Sequence, residues 1–198
     1  MSPEPSHTQR PLATGVCETL HMLALAAWIG ALMTGAFSAA AVFPSIRALN
    51  PSLPDYAAFG GEHWKLAAGL TQSTVFSRVD MVQLGAAGLA FFTLGLRLIG
   101  ARVDRADRRP ATVVRSIAVC VAVCLFAFTL FVLAPRMDTN LKSFWEHAKA
   151  GENVEARAAE TRFSADHPFA TRVMSGTATS VLIAFIAGVW SIAHRRQP

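Results

Sequence analysis

The side chains able to do chemistry in this sequence are six histidines, thirteen acids and three cysteines, and their spacing narrows what each could do. Glu18 and His21 stand three residues apart, hence on one face of any helix that carries them, with Trp28 two turns further along. An imidazole inside a membrane span is a candidate haem or metal ligand, or a proton relay, and a neighbouring carboxylate can orient its second nitrogen. Glu18 is expected in that role, and His194, at the matching end of the last apolar run, is the expected partner of His21. The plainer alternative leaves Glu18 and His21 at headgroup level as ordinary interfacial residues.

A second set is His63, His147 and His167, with Glu62 and Glu146 directly before two of them and Asp80 and Asp138 nearby in the chain. Imidazole with carboxylate could build a copper or zinc site, yet the spacings match no ligand motif, and the plain reading is solvated or capping loop histidines. Cys120 and Cys124 lie one helical turn apart and read as packing residues rather than copper ligands; Cys17 reads as a free thiol, so no disulfide framework is implied. Nucleophile elbows, phosphate loops and dinucleotide fingerprints are missing, since GAAGLA lies within an apolar run with no strand before it. The expectation is no cofactor, with haem or copper as the alternative.

The elements that position these residues are membrane spans. The 198-residue chain is 53% hydrophobic and only 16% charged, with a mean hydropathy of +0.38. That is too apolar for a soluble domain of this size. Four runs approach the ~20 residues needed to cross ~30 Å of hydrocarbon. They cover about 19–43, 79–100, 115–135 and 172–194. The third is rich in β-branched and aromatic residues, but its length argues for a helix, and a lone strand would leave unpaired backbone groups in lipid. A signal-peptide reading of the first run fails on length. The expected fold is an all-α, integral-membrane four-helix bundle forming a single domain over 1–198, with a flexible tail over 1–15.

Basic residues set the orientation. Arg102, Arg105, Arg108 and Arg109 crowd the short link between the second and third runs, Arg10 precedes the first, and Arg195 and Arg196 follow the last. Lysine and arginine favour the cytoplasmic side, so this link and both termini are expected inside. The pI of about 9.7 is then a topology signal, and no nucleic-acid partner is implied. Of the outer links, Pro44 to Arg78 holds Pro44, Pro51 and Pro54 as turn markers and a short surface helix anchored by Trp64. Arg136 to Arg172 holds a helix-forming stretch from Leu141 to Arg162, with Phe144, Trp145 and Ala148 on one side, breaking at Gly151 and Asn153. Both are expected to lie on the membrane as interfacial helices.

Small residues recur every fourth position at Ala27, Ala31, Gly35 and Ala39 in the first span, and at Gly176, Ser180, Ala184 and Gly188 in the last. Such stripes let helix backbones approach closely, so both faces are expected to be helix contacts.

The first helix reads LAAWIGALMTGAF and leaves through AVFPSIRAL; the third ends in LAPRMDTNL; Phe163 and His167 introduce the fourth. This order resembles the transmembrane protein 205-like family of unknown function, and the resemblance implies a small four-helix bacterial membrane protein. HMLALAAWIG is also similar to the first helix of copper-resistance D-type membrane proteins and of the membrane protoporphyrinogen-oxidase type, which implies copper or haem handling. The functional expectation is a non-enzymatic protein of the bacterial inner membrane, free-standing or an accessory subunit. Its partners would be the lipid bilayer and a larger membrane complex or a second copy of itself. A haem- or copper-binding redox or transport protein is the alternative.

Overall fold

The computed structural model describes the backbone of residues 9–103 and 110–194, and the side chains of 15–99 and 110–193. Within these the chain is helical throughout, without a strand: α1 (Gln9–Leu49), α2 (His63–Val103), α3 (Pro110–Phe128), α4 (Ala134–Ala150) and α5 (Asn153–His194). A π-helical segment, Thr129–Leu133, joins α3 to α4 without a break, so four rods are long and apolar enough to cross a membrane. The rods are 41 or 42 residues long. At ~1.5 Å per residue that is ~60 Å, about twice the hydrocarbon thickness. Large apolar side chains such as Leu23, Phe37, Met81, Phe92, Ile117, Phe131 and Ile186 are exposed around the outside, a surface suited to lipid.

Two prolines expected to end spans, Pro44 and Pro135, and a third, Pro168, lie inside or between continuous helices. Pro44 is within α1, which runs on to Leu49, and Pro168 is within α5. Pro135 lacks an N–H and would press on the carbonyl four residues earlier. The π segment absorbs this by widening the turn, so that the Ala134 N–H reaches the Thr129 carbonyl. The true stops are left-handed residues. Asn50 (φ 42°) closes α1 before Pro51. Gly151 (φ 75°) closes α4, with its N–H on the Ala148 carbonyl and the Glu152 N–H on the His147 carbonyl.

The contacts between α1 and α2 step in opposite directions along the two helices: Glu18 with Arg97, His21 with Thr93, Trp28 with Gln83, Gly35 with Phe76, Ser38 with Gln72 and Arg47 with Trp64. The second hairpin behaves likewise, with Gly188 against Arg115, Gly176 against Leu125, Phe169 against Phe128 and Asp166 against Arg136. Packed together they form an up-and-down four-helix bundle. One end, where α1 begins and α5 stops, we call the arginine end; the other, where both hairpins turn, is the loop end.

Two cores result. The first fills the bundle axis with Leu25, Trp28, Val119, Phe126, Val181 and Ala184, and Trp28 meets Phe126 edge to face across the α1–α3 diagonal at 5.9 Å. The second lies at the loop end and joins Phe59, Leu66, Phe144, Ala148, Ala156 and Ala159. The segments carrying Trp64, Trp145 and Ala156 run on continuously from the long helices and bury their apolar faces against one another. Trp145 packs on this second core, and Trp64 lies under the Arg47 guanidinium at 5.4 Å.

Candidate functional site: a buried charged centre

At the arginine end three spans deliver charges to one level. Glu18 on α1 accepts a hydrogen bond from Arg115 Nη1 on α3 at 2.6 Å, and Arg97 Nη1 on α2 lies 3.0 Å from its other oxygen, close enough to pair but without hydrogen-bond alignment. The Arg115 side chain is 0% exposed and that of Arg97 9%. These two guanidiniums cannot lose their protons, so one carboxylate faces two fixed positive charges in a low-dielectric interior. Glu18 and Arg115 sit on diagonal helices, and their bond therefore crosses the bundle axis one turn before the apolar core begins.

His21 is 0% exposed beside this pair. Its Nδ1 lies 2.9 Å from Thr93 Oγ1 and 3.1 Å from the Ala90 carbonyl oxygen. A carbonyl can only accept, so Nδ1 carries the proton, and Thr93 passes its own hydroxyl proton to the Leu89 carbonyl at 2.7 Å. Nε2 has no partner among the described residues. This corrects one expectation: Glu18 is taken by the arginines and does not orient His21, whose partner is α2. Arg97 turns inward to the same carboxylate. The His194 side chain lies outside the described residues.

The three outer histidines do not converge. His63 accepts the Leu53 N–H on Nδ1 at 3.0 Å, donates from Nε2 to the Phe59 carbonyl at 3.2 Å and stacks on the Phe59 ring, so both nitrogens pin the loop that starts α2. His147 pairs with Glu152 beside the Gly151 turn. His167 is exposed next to Phe163. Among the described residues no group of three or more His, Cys, Asp or Glu side chains could hold a metal. Glu62, the acid before His63, has other partners: the Lys65 ammonium and the Trp64 indole N–H hold its carboxyl below its ordinary pKa. A Cβ added at Gly188 would lie 2.5 Å from Met22 Sδ and 3.2 Å from Arg115 Nη1, so α5 packs closely on α1 and α3 at this level. Cys120 and Cys124 are free thiols on the exposed side of α3, and Cys17 Sγ donates to the Thr93 carbonyl at 3.5 Å.

The small-residue stripes divide. On α5, Ala184 and Gly188 are buried, Gly176 and Ser180 are half-buried, and the place for a Gly176 side chain is filled by Leu125 of α3 at 3.3 Å. On α1, Ala31 and Gly35 are buried, Ala39 is half-buried and Ala27 is exposed; Gly35 receives the Phe76 ring at 3.2 Å. Further along, Trp28 Nε1 donates to Gln83 Oε1, whose amide donates to Asp80, and Gln72 donates to Ser38, so these polar side chains within the spans have partners.

No family model, curated protein or solved structure matches the chain. What the protein does has to follow from this centre and from the faces the bundle turns outward. At this centre the guanidiniums supply fixed charge, Glu18 is paired with them, and Cys17 donates to backbone. The arrangement can fasten α1, α2 and α3 together at one level and present surplus positive charge.

Proposed function

We propose that the chain is a non-catalytic scaffold or accessory subunit of the bacterial inner membrane, with the arginine end and both termini in the cytoplasm. The observation that carries this reading is an apolar core of fully buried side chains along the bundle axis, while the open features lie outside. Leu25, Trp28, Val119 and Val181 are 0% exposed. Outside, α2 carries a shallow apolar groove lined by Gly88, Phe91, Phe92, Gly95, Leu96 and Ile99, and a side chain added at Gly88 or Gly95 would meet open space. Small residues facing lipid permit close approach by another helix. The orientation is supported by Arg102 near the end of α2, the three arginines of the link that follows it, and Arg195 and Arg196 after α5. The short motifs resembling the transmembrane protein 205-like family accord with a small four-pass protein of this kind.

Native mass spectrometry of gently solubilised membranes tests the reading. The expected result is an assembly heavier than one 21.2 kDa chain, from which Gly88→Leu or Gly95→Leu releases the chain without lowering its own melting temperature. A chain that is monomeric under every mild condition, with both variants indistinguishable from the native protein, contradicts it. A Soret band in the purified protein would replace it with the haem reading.

A further inference from the structure

The charged centre does not balance. Arg115 uses only Nη1 on Glu18; its Nε and Nη2 are buried and have no hydrogen-bond partner among the described residues. The hydroxyls of Thr112, one turn earlier on α3, and of Ser191, one turn beyond Gly188 on α5, are buried and equally without partners. Ordered water could satisfy the hydroxyls, but water cannot cancel a charge. Two guanidiniums share one carboxylate, and Arg115 cannot become neutral by losing a proton. Asp80, the next acid back along α2, is seventeen residues from Arg97, or ~25 Å along the helix. The link between α2 and α3 carries three arginines against two aspartates, so it adds positive charge.

The free edge also has a shape. Nε–H and Nη2–H are parallel donors spaced to meet two oxygens of one phosphate or carboxylate, the bidentate arrangement that distinguishes arginine from lysine. We propose that Arg115 holds a phosphate group on this edge, supplied by an anionic phospholipid headgroup or by free phosphate, with the Ser191 and Thr112 hydroxyls as additional donors. The site is independent of the scaffold role above, because it uses the bundle interior and not the α2 groove.

The test uses the full chain, delipidated in a neutral detergent, with thermal unfolding followed by tryptophan fluorescence. One arm adds inorganic phosphate against chloride at equal ionic strength; the other adds phosphatidylglycerol against phosphatidylcholine. A saturable rise in melting temperature with either phosphate source is expected. Saturation by phosphate alone identifies free phosphate, saturation by phosphatidylglycerol alone identifies the headgroup, and competition between them shows that the phosphate itself is recognised. Arg115→Lys retains the charge toward Glu18 but lacks the fork, and should raise the half-saturating concentration by about tenfold or more. Ser191→Ala removes one hydroxyl donor and should raise it about threefold to tenfold, and this variant decides the matter should Arg115→Lys fail to fold. No saturable effect of either source on the native protein overturns the proposal, as does unchanged half-saturation in the folded variants.

Discussion

The two ends of this bundle are fastened by opposite means. At the arginine end the fastening is a buried charge pair across the axis, Glu18 with Arg115, where solvent screens little. At the loop end the charges are outside: Lys65 with Glu62 and Glu160, Arg136 with Asp166 and Lys142 with Asp138 are all at least partly exposed, while burial is left to Phe59, Leu66, Phe144 and three alanines. The two fastenings differ in kind: a charge pair taken out of water depends on both partners being present, whereas exposed ion pairs add little to a fastening made by apolar burial.

That contrast predicts a gradient of mutational effects. The largest belongs to Glu18→Gln, which strands two buried guanidiniums and should cost ~3–5 kcal/mol, read as a marked fall in melting temperature in detergent. A loss no greater than that of a surface substitution would erase the difference between the ends. Gly188→Leu comes next, since its first added carbon already collides with Met22 and Arg115; overpacking of this kind costs ~1–3 kcal/mol. Third is Asn153→Ala at the loop end. The Asn153 side chain accepts the Gly60 N–H at 2.7 Å and donates to the Ala58 carbonyl at 3.3 Å, tying the loop before α2 to the start of α5. Its loss should cost ~1 kcal/mol and raise amide hydrogen exchange around residues 57–61, leaving exchange in the bundle core unchanged. The smallest effect is expected from Lys65→Ala, below ~1 kcal/mol and shrinking further with salt, because its ion pairs are exposed. A Lys65 effect rivalling that of Glu18 would reverse the ordering.

The four rods were legible because length and the lack of charge within apolar runs are local properties. The stops were partly legible: the helix breaks between Ala150 and Asn153 where expected, since a left-handed glycine and an asparagine that bonds back to the Gly151 carbonyl are local signals. The prolines misled, because whether a proline ends a helix depends on whether the turn before it can widen, as Thr129–Leu133 does. The charged centre was missed although its parts were visible. Glu18, Arg97 and Arg115 each border an apolar run, and an antiparallel order puts those borders at one level, where opposite charges must meet. Read singly, each looked like a boundary marker. The interplay of Lys65 with Glu160, 95 residues apart, carried no comparable signal, because it depends on how α5 is placed along α2.

The most direct test of this account is a double-mutant cycle across the bundle axis, with Glu18→Gln, Arg115→Met and the double variant compared by unfolding free energy in one detergent. Each single change should be strongly destabilising, and the double variant should be more stable than the sum predicts by at least ~2 kcal/mol, because neither charge is then left buried without the other. Losses that add to within ~0.5 kcal/mol would mean that the two side chains do not hold the helices together, and would contradict the account at its centre.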